Sequence, residues 1–146
     1  MNSSIARDLK PIILDTHIFI WLVSGGDLLS DKIKNIIRES TKEGCVFISA
    51  ITLWEIALLN SKNRIKLGLN IDTWVESVLS LSGIEAIDIN YKTLIESVNL
   101  SNDFHPDPSD RIIVATARVM NATLITRDSK IISWNNENRL IRVIEG

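Results

Sequence analysis

Apolar positions along the chain follow two rhythms, one short and continuous, the other recurring every three to four residues. Pro11-Ile12-Ile13-Leu14 is a brief, bounded apolar run, as a buried strand requires. A helical pattern follows over 16–23 and Gly25-Gly26 ends it. Ser30 opens a second helix in which Ile33, Ile36 and Ile37 recur at helical spacing to about residue 43, and Gly44 stops it. A second strand is predicted over 45–49, helices over about 50–62 and 71–81, a third strand across 83–89, and a helix over 91–99. Residues 108–121 place Ile112, Ile113, Thr116, Val119 and Met120 on one helical stripe. Strands at 122–126 and 140–144 complete the pattern.

Strands that alternate with helices imply parallel crossovers, hence a sheet covered by helices on both faces. In such sheets ligands sit beyond the carboxyl ends of the strands, where the strand order reverses. The residues just after strands one, two and four are therefore the place to look for chemistry.

Composition narrows the field. At 146 residues the chain has the size of one domain, and no repeat, low-complexity stretch or linker divides it. Residues 1–10, polar and of mixed charge, read as a flexible arm, and 11–146 as a single domain. The longest uninterrupted apolar stretch, 18–23, is far shorter than the ~20 residues that cross a bilayer. Asp15 and His17 interrupt any signal-like region, so no membrane association is expected. Cys45 is the one cysteine, which excludes an internal disulfide; in the run Cys45-Val46-Phe47-Ile48 it reads as a small buried hydrophobe, in keeping with a reducing cytoplasm.

A formal net charge of −2 argues against tight, non-specific binding of nucleic acid over a broad surface. It leaves room for an enzyme that gathers a polyanion through metal ions and a few basic side chains. Lys62, Arg64 and Lys66 are the nearest basic cluster, and read most simply as a solvated helix end.

The candidate chemistry is acidic. Strand one ends in Leu14-Asp15-Thr16-His17, and strand four in Thr126-Arg127-Asp128. The helix before strand four begins Asp107-Pro108-Ser109-Asp110-Arg111. Each Asp has a simple structural explanation: Asp15 and Asp128 as caps, Asp107-Pro108 as an Ncap–N1 pair, Asp110 as a first-turn carboxylate favoured by the helix dipole. Glu55 is harder to explain that way, because it is the only charge in Ile51-Thr52-Leu53-Trp54-Glu55-Ile56-Ala57-Leu58-Leu59. Buried carboxylates are scarce unless paired or bound to metal.

Taken jointly, the acids point further. Neighbouring strands lie ~4.8 Å apart, so adjacency of strands one and four would put Asp15 and Asp128 in one crevice. Two carboxylates ~4 Å apart repel by about 4 kcal/mol at an effective dielectric of ~20. Three or four would need a cation, and oxygen-only ligands favour Mg²⁺ or Mn²⁺ over zinc. His17 and His105 lack ligand spacing with another His or Cys, and no Gly-rich phosphate loop is present.

Ile13-Leu14-Asp15-Thr16-His17, Ser49-Ala50-Ile51-Thr52-Leu53-Trp54-Glu55-Ile56, Asp107-Pro108-Ser109-Asp110-Arg111-Ile112-Ile113 and Thr126-Arg127-Asp128 together resemble the PIN-domain nucleases, and among them the VapC-type toxins of bacterial toxin–antitoxin pairs. The resemblance extends from about Ile12 to Ile144 and rests on four motifs in order, none specific alone. It implies a three-layer α/β/α, Rossmann-like fold with about five mostly parallel strands in the order 3-2-1-4-5. It implies a Mg²⁺- or Mn²⁺-dependent endoribonuclease acting on RNA, with Asp15, Glu55, Asp110 and Asp128 in the family's acidic places. Asp15, Asp110 and Asp128 are then the metal ligands, Thr126 the small hydroxyl residue near the metal, and Asp107 an additional acid that reads as a cap. A homodimer and a small antitoxin protein covering the acidic site are the implied partners, with Trp21 and Trp54 either ordinary core residues or anchors for that protein. Two alternatives stand beside this reading. One is a PIN nuclease of RNA maturation or decay without toxicity. The other is a receiver-like signalling module, which needs an acid at the end of strand three and a lysine after a late strand; strand three instead runs into Asp88-Ile89-Asn90 and no such lysine is evident.

Overall fold

A computed structural model describes residues 10–100, 104 and 107–146; most of the expected N-terminal arm and His105 lie outside the described residues. The chain runs β1 (Ile12–Leu14), α1 (Thr16–Ser24), α2 (Asp31–Thr41), β2 (Val46–Ser49), α3 (Ala50–Ser61), α4 (Ile71–Ser82), β3 (Glu85–Ile87), α5 (Tyr91–Asn99), α6 (Pro108–Val119), β4 (Thr123–Thr126), α7 (Ser129–Asn138) and β5 (Arg142–Glu145). The strands form one sheet in the order β3-β2-β1-β4-β5, and every neighbouring pair is parallel. This is the expected three-layer arrangement and strand order.

Period-two alternation divides the core between the two faces of the sheet. Ile12, Leu14, Val46, Ile48 and Ile125 pack with Ile18 and Phe19 of α1 and Ile33, Ile36 and Ile37 of α2. Ile13 and Leu124 face the other way, onto Ile113, Val114 and Ala117 of α6 and Ile131 and Trp134 of α7. The central strands β1 and β4 are buried along their whole length, which is why they read as continuous apolar runs rather than alternating ones. Gly25 ends α1 in the left-handed region at φ 73°, where a side chain is strained.

Three expectations need correction. A helix forms at Ser129–Asn138, where only a capped turn is legible, because Ser-Lys-Ile-Ile-Ser-Trp-Asn-Asn-Glu-Asn has weak helix propensity. Tertiary contacts supply the missing preference: Ile131 and Trp134 are buried, and Asn135 bonds the main chain of Ile141 through both its amide groups. β3 is only Glu85–Ile87, an exposed edge strand paired on one side, rather than 83–89. Cys45 is half-buried rather than buried, with its thiol on the Glu43 carbonyl at 3.4 Å.

Lys62, Arg64 and Lys66 are exposed just beyond α3, a solvated helix end as expected. α5 leaves Tyr91, Leu94, Ile95 and Val98 exposed. Among the described residues no helix is long and apolar enough to cross a membrane.

Candidate active site

β1 and β4 are neighbours in register, Leu14 opposite Ile125, so Asp15 and Asp128 leave the sheet at the same edge. β2 on the other side of β1 feeds α3, which carries Glu55 into the same space. The N-terminus of α6 closes the far wall with Asp107 and Asp110. The result is a crevice of about 880 Å³ lined by all five acids, with His17, Lys130 and Trp54 at its walls. All four acids named from the sequence are therefore brought together, at the carboxyl ends of the strands where ligands bind in sheets of this kind.

The cap and the crevice are not competing explanations, because each Asp at an Ncap meets both needs. Asp15 caps α1: its Oδ1 accepts from Thr16 N–H at 2.8 Å, while Oδ2 accepts from the Thr126 hydroxyl at 2.6 Å. The Thr126 oxygen in turn accepts from Asp128 N–H at 3.0 Å, so one hydroxyl ties together the ends of β1 and β4. Asp128 caps α7 through Lys130 N–H at 2.8 Å, and Asp107 caps α6 through Ser109 N–H at 2.9 Å. A parallel sheet followed at once by helices places Ncaps, here short carboxylates, at the carboxyl edge of its strands.

Glu55 is held by a device the sequence reading missed. The Thr16 hydroxyl donates to Glu55 Oε1 at 2.6 Å and lies 3.0 Å from the Thr52 hydroxyl. With its own proton committed to Glu55, Thr16 accepts from Thr52. The Asp-Thr step after β1 thus serves two acids, one through its carboxylate and one through its hydroxyl. The pairing spans 39 residues and depends on how α3 docks beside α1, which no local pattern carries.

Crowding of charge shows in the acidities. Asp110 is pushed up to about 8, first by burial and then by the charges of Asp15, Asp107, Asp128 and Glu55. Asp15 is raised by burial, against the opposing pull of the Thr126 and Thr16 hydrogen bonds, with the Asp128 charge adding to the rise. Glu55 is raised by burial too, with Asp15 and Asp107 contributing, while the Thr16 bond opposes. Asp107, read from the sequence as a cap, is therefore also part of the crevice's electrostatics.

Arg111 is turned elsewhere: its guanidinium donates to the Ser97 and Phe104 carbonyls at 3.1 and 2.9 Å and lies over the Phe104 ring. Trp54 is 55% exposed on the crevice wall, so it is not a core residue. Trp21, on α1, does not line the crevice; it packs, partly buried, against the core.

The donor set is all oxygen and densely anionic, which fits a hard divalent cation and not a soft one. Among the described residues no three acidic, His or Cys side chains are already closed into a metal cage.

A family model of the PIN domain matches residues 12–134. Ribonuclease VapC22 of Mycobacterium tuberculosis is 26% identical over 123 residues, covering 84% of this chain and 91% of that protein. Among solved structures, a toxin–antitoxin complex from Klebsiella pneumoniae is 25% identical, with a TM-score of 0.53 over 82% of this chain and 88% of that one. VapBC2 from Rickettsia felis, bound to a DNA fragment from its promoter, shares the fold at 22% identity, with a TM-score of 0.68 over 92% of this chain and 97% of that one. The matched span contains all five acids and the threonines that hold them, and this chain belongs to the PIN-domain family.

Proposed function

We propose that this chain is a Mg²⁺- or Mn²⁺-dependent endoribonuclease, the toxin of a toxin–antitoxin pair, working in the cytoplasm as one unit over residues 11–146. The observation that carries the reading is the gathering of Asp15, Glu55, Asp110 and Asp128 in one crevice, with Asp110 pushed up to about 8. A site that costly in charge repulsion is retained where a cation uses it. The ribonuclease and toxin–antitoxin relatives support the same chemistry and the same kind of partner.

In this reading Asp15, Asp110 and Asp128 hold the cation, and Glu55 holds a second one or orients the attacking water. When bound there, the cation neutralises a phosphodiester and makes water a stronger nucleophile at neutral pH. The chain's own part is positioning: Thr126 fixes Asp15 against Asp128, and Thr16 fixes Glu55. Lys130, at the crevice wall, supplies positive charge for an RNA phosphate, a contact that carries no base information. Cleavage of a labelled RNA by the purified chain, dependent on Mn²⁺ or Mg²⁺ and abolished by EDTA, is the direct test; metal-independent cleavage would refute the assignment.

Thr16→Val keeps shape and removes the hydroxyl that Glu55 and Thr52 share. Cleavage should fall roughly tenfold, as for loss of a group that orients a ligand. Stability should fall by about 1–3 kcal/mol, because the buried Thr52 hydroxyl loses its partner. Calorimetry and single-turnover kinetics read the two effects separately.

The antitoxin should neutralise a crevice of five acids, so it should bring Arg or Lys towards Asp15 and Asp110 and cover the exposed faces of Trp54 and Leu58. Co-expression with whatever small protein is encoded upstream should yield a complex that cleaves RNA far more slowly than the free chain. Light scattering on the free chain should read a dimer of the 16.4 kDa protomer. A complex as active as the free chain would defeat the inhibitor model. Absence of any partner, with no growth arrest on expression, would favour a nuclease of RNA maturation or decay.

A further inference from the structure

Arg127 stands between Thr126 and Asp128, yet it does not line the crevice. Its guanidinium turns to the other side of the β4 end and, on a side chain that stays exposed, makes two hydrogen bonds there. Nε donates to the Gly146 main-chain oxygen at 2.6 Å, and Nη2 donates to the Leu28 carbonyl in the α1–α2 loop, also at 2.6 Å. The same plane lies over the Trp21 ring of α1, 4.7 Å from its centroid. One side chain thus joins β4 to three separate segments, using the flat fork and the stacking face that distinguish Arg from Lys.

Gly146 is itself seated firmly against the site's scaffold. Its N–H donates to the Thr126 carbonyl at 3.0 Å, extending the β4–β5 ladder by one rung. A Cβ there would collide with Ile18 Cδ1 and come within 3.2 Å of Ile125 Cγ2, so Gly146 fits flat over the core beneath α1. Thr126 is therefore held on both sides: its main chain by Gly146, its hydroxyl by Asp15.

We propose that Arg127 is a positioning residue for the acidic site, a latch that fixes the end of β4 to α1, the α1–α2 loop and Gly146 so that Thr126 and Asp128 keep their register with Asp15. The physical need is specific. Asp15 is the Ncap of α1 and Asp128 that of α7; beyond the main-chain bond from Asp15 N–H to the Ile125 carbonyl at 3.0 Å, a single side-chain hydroxyl bridges them. Acids that repel one another push these segments apart, and the latch opposes that from behind. Because the guanidinium is turned away from the crevice, onto two oxygens and a ring behind the β4 end, it acts through Thr126 and Asp128. The inference rests on the acidic crevice being the catalytic site.

The test compares Arg127→Lys and Arg127→Met with Asp15→Asn in the full chain. Met keeps the aliphatic stem on Trp21, and Lys keeps the charge, but neither reaches both oxygens while stacked. Both should lower kcat about 10–100-fold, as for loss of an orienting partner. KM for RNA should change little, and the Mn²⁺ concentration giving half of the thermal stabilisation should rise. The salt dependence of RNA binding should match wild type. If Arg127 instead gripped a phosphate, binding would weaken, its salt slope would drop by about one and Lys would rescue it; that result overturns the proposal, as does an unchanged kcat in both variants. Trp21→Leu guards against a variant that fails to fold. It should give a smaller kcat loss, and combined with Arg127→Lys it should do no further harm, since both changes open one latch; fully additive losses would overturn the idea. Should Asp15→Asn retain cleavage, the catalytic assignment fails first, and the two failures are told apart.

Discussion

Asp15→Asn should abolish metal-dependent cleavage, by more than about 100-fold, while leaving the fold intact. The two effects separate because Asp15 does two things with the same atoms. As an Ncap, Asn is as good as Asp, and its Oδ1 can still accept from Thr16 N–H. Its amide then faces the Thr126 hydroxyl, which accepts where it formerly donated. What disappears is the charge. Asp15 is 6% exposed, and its carboxylate raises the pKa values of both Asp110 and Glu55. Removing it relieves repulsion, so the melting temperature in EDTA should hold or rise, whereas cation binding loses a central ligand. Cleavage left intact would mean that Asp15 is a cap and nothing more, since Asn caps as well.

The caps explain why the site was legible in sequence. Short carboxylates immediately after predicted strands one and four, and at the Asp107-Pro108 helix start, fall at one edge of any parallel sheet in which those strands are neighbours. Glu55 was visible as a lone charge in an apolar helix. The strand order itself is not a local property: it came from the family resemblance, whereas periodicity supplied only the alternation of strands and helices. What stayed hidden shares one physical cause, namely dependence on contacts distant in sequence. The Thr16–Thr52–Glu55 hydroxyl chain exists only once α3 lies beside α1. α7 forms because Ile131 and Trp134 find the core, against the preference of its asparagines. The Arg127 latch spans 99 residues to Leu28. Asp107 was read correctly as a cap and incompletely as a charge, since its effect on Asp110 and Glu55 acts across the crevice.

The second large effect is expected in stability, where protons and cations should compete for the same acids. Asp110 is pushed up to about 8 in the fold, from an ordinary value of 3.8. Between about pH 4 and pH 8 the native state therefore holds a proton that the unfolded chain has released, so stability must fall as pH rises through that window. Asp15 and Glu55 are raised as well and act in the same sense. In EDTA the melting temperature should accordingly decline from pH 5 to pH 8, and Asp110→Asn should flatten the decline. Mn²⁺ should reverse it, since a cation bound only by the native state stabilises by about 2.7 kcal/mol at a hundred times its Kd. For a chain of this length that is a rise on the order of 5–10 °C. The rise should be largest near pH 8 and shrink at pH 5, where protons already occupy the acids. Calcium, with its looser geometry, should stabilise without supporting cleavage. Melting curves at both pH values, with EDTA, Mn²⁺ and Ca²⁺, decide the matter. An apo stability that climbs from pH 5 to pH 8, or a midpoint indifferent to millimolar Mn²⁺ at pH 8, would mean that the five acids do not form a cation site.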